Sequence, residues 1–185
     1  MRVAAVGAVL VGGASTRMGR PKSLIEIDGT TLVRRAVAVL TEVGCTRVVA
    51  IGPAHLADGV ARLDDLYPGE GPLGGILTAL AAGAPALVIA CDLPSLDVAT
   101  LDALLAAADA AESAATAIDA VVAVTDRPEP LCALWLASGA ALLQRAFDRG
   151  ERGVHRAMAA LHVVEVPVAV ANVRNVNTPD DLQSR

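Results

Sequence analysis

Short, largely apolar runs alternate along this chain with stretches whose apolar residues recur at helical spacing. The runs cover residues 3–10, 47–51, 86–90, 120–124, 131–136 and 162–168. Strands buried on both faces of a parallel sheet have this character, because neither face needs a polar alternation. Between the runs, residues 32–43 place Leu32, Ala36, Val39, Leu40 and Val43 on one helical face. Residues 73–82 and 98–110 show the same period, the latter behind Asp97 as a predicted N-cap. The alanine-rich stretch 103–117 carries Asp109 and Glu112 and reads as an exposed helix. Strands alternating with helices predict an α/β architecture: one doubly wound, mostly parallel sheet flanked by helices, with right-handed crossovers.

Punctuation supports this order. Asp28-Gly29 marks a turn before the first helix. Thr178-Pro179-Asp180-Asp181 supplies a cap, a first-position proline and an acid for a terminal helix. With 185 residues the chain fills a single domain, 1–185. Aromatics make up only 2%, so the core has to be aliphatic.

Charge narrows the class of partner. A net charge of −5 and a pI near 5.1 predict neither nucleic-acid binding nor attachment to an acidic membrane. No run is long and apolar enough to predict a membrane span. The first run reads better as a strand than as a secretory leader. Cys45, Cys91 and Cys132 are odd in number, widely spaced and set among apolar residues. They predict buried thiols, with no disulfide or zinc pattern, and a cytoplasmic location.

The polar breaks after the strands hold the candidate chemistry. Ligands of open α/β sheets bind outside the carboxyl ends of the strands. After the first run comes Leu10-Val11-Gly12-Gly13-Ala14-Ser15-Thr16-Arg17-Met18-Gly19-Arg20-Pro21-Lys22. Gly12 and Gly13 let backbone N–H groups approach phosphate oxygens, and Ser15 and Thr16 add hydroxyl donors. Arg17 contributes a fork and Lys22 a compact point charge. Lys22 is the only lysine among the 15 basic residues. The spacing is neither that of a Walker loop nor GxGxxG, and a structural turn remains the competing reading.

Asp92, directly after the run 86–90, suits a Mg²⁺ ion bridging phosphates, or else a simple cap. Gly71-Pro72-Leu73-Gly74-Gly75, behind Asp64-Asp65, offers close backbone to a flat base and a carboxylate to its N–H edge; ordinary loop chemistry is the alternative. Asn175 and Asn177 put two amides on one side of an extended segment, where they bind either a polar heterocycle or local backbone. Arg149, Arg152 and Arg156 read as a solvated helix face, with an anionic substrate as the other use. His55, His155 and His162 show no ligand spacing.

Taken together these segments form a familiar pattern. The opening LVGGASTRMGRPK resembles the LxGGxSxRMGxxK motif of the nucleotidyltransferases that act on molybdenum cofactor. Residues 65–75 (DLYPGEGPLGG), 91–94 (CDLP) and 175–179 (NVNTP) are similar to that family's later motifs, in family order. The first motif is shared with sugar-phosphate nucleotidyltransferases. GPLGG together with NVNTP points to the molybdenum cofactor guanylyltransferases.

This resemblance implies a Rossmann-like, nucleotide-diphospho-sugar transferase-like fold and a Mg²⁺-dependent reaction. The terminal phosphate of molybdopterin attacks the α-phosphorus of GTP, giving the guanine dinucleotide cofactor and pyrophosphate. It also implies transient contact with proteins that supply the pterin and mature molybdoenzymes. By carry-over, Leu10, Val11, Gly12 and Gly13 line the nucleotide, and Arg17 and Lys22 hold the triphosphate. Asp65 contacts the nucleotide, with Asp64 as the neighbouring candidate, beside Gly71 and Gly75. Asp92 binds nucleotide and metal, and Asn175 and Asn177 face the pterin. Two positions depart from the family. Val11 replaces the usual alanine. Residues 51–55 read IGPAH, where the family often carries a nucleotide-binding asparagine. A cytidylyltransferase on the same cofactor and a non-catalytic pterin-binding protein are the competing functions.

Overall fold

The computed structural model describes residues 3–12 and 21–176. Its elements are β1 (Val6–Leu10), β2 (Glu26–Ile27), β3 (Thr30–Thr31), α1 (Leu32–Glu42), β4 (Arg47–Ile51), β5 (Arg62–Leu63) and α2 (Pro72–Ala82). These are followed by β6 (Ala86–Ala90), α3 (Val98–Ser113), β7 (Ala120–Val124), β8 (Pro128–Trp135), α4 (Ala137–Asp148), α5 (Val154–Met158) and β9 (Val163–Pro167). A seven-stranded sheet runs in the order β5-β4-β1-β6-β8-β7-β9, and β2-β3 form a small separate ribbon.

The middle strands are saturated with apolar side chains because helices cover both faces. Val9 of β1, Leu87 and Ile89 of β6, and Leu134 of β8 pack on one side against Val33 and Leu40 of α1 and Leu101 and Leu104 of α3. Ala8, Val49, Val88 and Trp135 pack on the other against Leu73, Ile76 and Leu80 of α2 and Leu143 and Phe147 of α4. Every residue of β6 is buried. At roughly 1.5–3 kcal/mol for each large aliphatic side chain, these two layers are the main stabilising term.

The strands 47–51, 86–90 and 120–124 run as their apolar patterns predict. Asp97 caps α3, its side chain accepting the Thr100 N–H at 2.8 Å. The first strand starts later, at Val6. Helix α3 extends to Ser113, and its alanine-rich part buries Leu104, Leu105, Ala108 and Ala111. It is therefore a half-buried helix and not a fully exposed one. Sequence reading passed over α4, although Leu143, Ala146 and Phe147 form a buried stripe on it; α5 has only five residues, too few to show a helical period. The segment at 178–181 lies outside the described residues.

The sheet is mostly parallel, with one reversal. Strand β8 is antiparallel to both β6 and β7. An apolar run shows nothing of its own direction, since both faces are buried either way. The reversal has a functional consequence: β8 enters the sheet at the end where β6 leaves it.

Candidate active site

Strand order turns about β1, which lies between β4 and β6 and parallel to both. The chain first moves to the β4 side and then returns to place β6 on the other. That makes the carboxyl ends of β1 and β6 a topological switch point, where open sheets form a crevice. Leu10 pairs with Ile51 and with Ala90 at this rim. Val11 N–H is held by the Ile51 carbonyl at 3.0 Å and the Leu10 carbonyl accepts the Cys91 N–H at 3.3 Å. Gly12 follows, exposed, and a Cβ there would meet nothing within 4 Å. Gly13 and Arg17 lie outside the described residues.

Lys22 and Asp92, 70 residues apart, meet across this crevice. The lysine Nζ stands 3.1 Å from Asp92 Oδ2. Their side chains are 22% and 15% exposed, so the pair is sheltered but reachable from solvent. Lys22 comes from a single 3-10 turn, Lys22–Leu24. The Asp92 backbone is fixed by the chain's far end, its carbonyl accepting the Val176 N–H at 3.0 Å. This bond brings exposed Asn175 to the same rim. Asn177 lies outside the described residues.

The second lip of the crevice is the loop before α2. Asp65 Oδ1 accepts the Tyr67 N–H at 3.0 Å and lies 2.9 Å from the Thr78 hydroxyl. Thr78 is fully buried in α2; its oxygen also accepts the Leu66 N–H at 3.1 Å. The single hydroxyl proton is shared between Asp65 and the Gly74 carbonyl at 3.0 Å. Asp64, by contrast, is 84% exposed and ion-paired with Arg62. Of the two neighbouring acids, Asp65 is the one oriented by the fold. Sequence reading passed over Thr78, although a lone hydroxyl inside an otherwise apolar helix is a signal.

The glycines of this lip divide into two kinds. Gly71 caps α2 at φ +82° and has open space where a Cβ would go. Gly74 and Gly75 are instead sites of close packing. A Cβ on Gly74 would stand 2.8 Å from the Tyr67 Cβ, and one on Gly75 3.0 Å from a Leu10 methyl. They let α2 sit directly on β1 and on the loop carrying Asp65.

The two departures from the family pattern meet in space. Gly52, at φ +141°, has no room for a side chain: its Cβ would lie 3.0 Å from both the Val11 Cγ2 and the Val11 carbonyl oxygen. The Val11 backbone alone crowds out a side chain at 52, and the valine methyl adds to the clash. A nucleotide-contacting amide has no place at 52.

The three arginines predicted as a solvated patch are mostly engaged. Arg152 pairs with Glu70, donates to the Phe147 carbonyl at 2.7 Å and stacks 3.9 Å over the Phe147 ring. It thereby ties the Asp65 loop to α4. Arg156 pairs with Glu151, whose carboxylate also accepts the Arg152 and Gly153 N–H groups. The Arg156 hydrogen bonds, ahead of these backbone donors, hold Glu151 down to about 2. Arg149 is the C-cap of α4.

Two thiols are chemically quiet. Burial, and then the Asp92 charge, pushes Cys91 up to about 12. Cys132 is pushed to about 12 chiefly by burial. Neither forms a thiolate near neutral pH, so neither supplies a nucleophile. Among the described residues no cluster of three or more His, Cys, Asp or Glu side chains could hold a metal. No described helix is long and apolar enough to cross a membrane.

A crevice with a basic lip, one hard carboxylate and a pre-oriented acid suits a nucleoside triphosphate, and comparison with known proteins agrees. The profile of the MobA-like NTP transferase domain matches residues 7–166. A probable molybdenum cofactor guanylyltransferase of Opitutus terrae is 36% identical, over 96% of this chain and 93% of its own. The molybdenum cofactor guanylyltransferase of Rhodobacter capsulatus is 33% identical, over 98% and 94%. Among solved structures, the molybdopterin-guanine dinucleotide biosynthesis protein A of Archaeoglobus fulgidus superposes with a TM-score of 0.80 at 30% identity, over 96% of this chain and 95% of that one. The chain belongs to the MobA-like NTP transferase family.

Proposed function

We propose that this protein is a molybdenum cofactor guanylyltransferase, moving GMP from GTP onto the terminal phosphate of molybdopterin. The observation that carries the reading is the Lys22–Asp92 pair at the switch point between β1 and β6, in a chain whose full-length relatives bear that name. The whole chain, 1–185, serves as one nucleotidyltransferase domain. The triphosphate lies along the first loop, over Leu10, Val11, Gly12 and Gly13, with Arg17 and Lys22 neutralising its oxygens. The base sits at the second lip, between Gly71 and Asp65, beside the 59%-exposed Leu66. Asn175 and Asn177 face the pterin.

In the transfer, a phosphate oxygen of molybdopterin forms a bond to the α-phosphorus of GTP. The bond from that phosphorus to the bridging oxygen breaks, and pyrophosphate departs with its electron pair. The attacking oxygen is already ionised, so no general base is needed. Protein catalysis then consists of alignment and charge neutralisation. Lys22 reaches the phosphates as a point charge, and Asp65 holds the nucleoside end in register.

Asp92 is the residue to hold Mg²⁺. A single hard carboxylate, with no cluster of three or more His, Cys, Asp or Glu among the described residues, fits an ion that keeps waters and takes its remaining oxygens from phosphates. When bound, that ion would supply positive charge to phosphate oxygens. Lys22 then turns from Asp92 to the phosphates.

The protein works in the cytoplasm, where its thiols stay reduced, and meets pterin-supplying and molybdoenzyme-maturing proteins transiently. Turnover of molybdopterin with GTP and with CTP tests the assignment. Guanine dinucleotide and pyrophosphate should form in equal amounts, with GTP the better substrate. Preference for CTP would overturn the guanine assignment, and no nucleotide transfer would overturn the enzyme reading.

A further inference from the structure

Beside the Lys22–Asp92 pair lies a cleft of about 220 Å³, and no motif read from the sequence includes its one carboxylate. Ala90 and Leu93, which bracket Asp92 at the end of β6, form one wall, and Pro72 of the base-side loop continues it. Asn175, His155 and Glu129 supply the polar lining, among Leu131, Val154 and Val173. The cleft is thus an apolar slot with a few convergent polar groups, the usual make-up of a small-ligand site. It opens beside the proposed phosphates, on the side where Asn175 stands.

Glu129 is here because β8 is reversed. Its strand starts at Pro128, on the rim where β6 ends, so a residue from the beginning of β8 joins residues from the end of β6. The Glu129 side chain is 26% exposed. Its Oε1 lies 3.3 Å from the Thr125 hydroxyl and 3.7 Å from the Nε of Arg127, which is itself 73% exposed. These contacts fix the position of the carboxylate.

We propose that Glu129 is a specificity residue for the second substrate, receiving the pterin ring in this cleft. The inference rests on the guanylyltransferase reading above. A pterin presents an N–H and an exocyclic amine side by side on its pyrimidine ring. A carboxylate accepts both, while the apolar walls cover the ring faces. Hydrogen bonds to a charged group are among the stronger ones, and leaving the ring's donors unmatched costs more than a neutral contact would. Asn175 adds an amide to the same slot. The pterin lies in the cleft and its phosphate tail points toward Lys22, ready for in-line attack.

The test is steady-state kinetics with molybdopterin and GTP on wild type, Glu129→Gln and Glu129→Ala, with GTP affinity and melting temperature measured separately. Glutamine keeps the shape but loses one acceptor and faces the exocyclic amine with an amine of its own. The KM for molybdopterin should rise about ten- to a hundredfold in both variants, while GTP affinity stays within about twofold and Tm is unchanged. Binding of molybdopterin without GTP, followed by pterin fluorescence, should weaken to the same extent. An unchanged molybdopterin KM, or an equal loss of GTP and molybdopterin affinity, overturns the proposal. Failure of the wild type to transfer GMP overturns the guanylyltransferase reading itself.

Discussion

The two lips of the crevice are built on opposite principles. On the phosphate lip, Lys22 and Asp92 face each other across the mouth, partly in solvent, beside the exposed Gly12. On the base lip, Asp65 is tied to a backbone N–H and to the fully buried Thr78. In the proposed function, one lip uses charges that would exchange partners when a polyanion arrives. The other uses hydrogen bonds completed before any ligand binds. A triphosphate is gripped mainly through charge, which tolerates small shifts of position. A base is read by directed hydrogen bonds, which do not. The difference between adaptable charge and pre-set geometry matches what each lip is proposed to recognise.

Breaking the charged lip should have the largest effect. Lys22→Ala and Asp92→Asn should each lower kcat/KM by about a hundredfold or more, as removal of transition-state charge stabilisation does. Circular dichroism and Tm should remain near wild type, because the pair is partly exposed. Lys22→Arg should lose about tenfold, since a planar fork does not fill the place of a point charge. Normal rates in these variants would show that phosphates are held elsewhere.

Loosening the pre-set lip should act on a different parameter. Thr78→Val keeps the volume but removes a hydroxyl that accepts from Leu66 and donates toward Asp65. It should destabilise by about 1–3 kcal/mol and raise the KM for GTP about tenfold with a smaller change in kcat. Thr78→Ser should restore both. If kcat fell while KM stayed constant, the contrast between the two lips would fail.

The smallest effect concerns the clamp behind the base lip. Glu151 is held at about 2, below the ordinary glutamate value of 4.5, by Arg156 and by backbone donors. A folded-state value below the unfolded one contributes stability that is complete above about 4.5 and is lost as pH falls toward 2. The pair lies at the surface, with the Glu151 side chain 23% and Arg156 75% exposed, so the contribution is small and weakens with salt. Glu151→Gln should lower Tm slightly at pH 7, and the wild-type and variant curves should converge as the pH drops to about 2. A constant gap down to that pH would remove the carboxylate's charge from the account.

Much of this was legible in the chain. Apolar runs specified the buried strands β1, β6, β7 and β8 but overstated the edge strand β9, none of whose residues is fully buried; helical periodicity specified α1, the inner part of α2 and α3. The loops after β1 and β6 announced themselves as the places where glycine, lysine and aspartate interrupt apolar sequence. Local pattern could not show which groups meet. Asp64 and Asp65 are equal on paper, and only packing against Thr78 separates them. Gly71 and Gly75 look alike in a motif, yet one borders open space and the other sits under Leu10.

The sequence by itself determined where strands and helices form and which segments break at a strand end, because hydrophobic periodicity and turn chemistry act through near neighbours. The tertiary structure alone decided the direction of β8, the pairing of Lys22 with Asp92 across 70 residues and the arrival of Glu129 at the same rim. Strand direction and long-range contact depend on how the layers close over the whole sheet, and a run of apolar residues is the same read up or down.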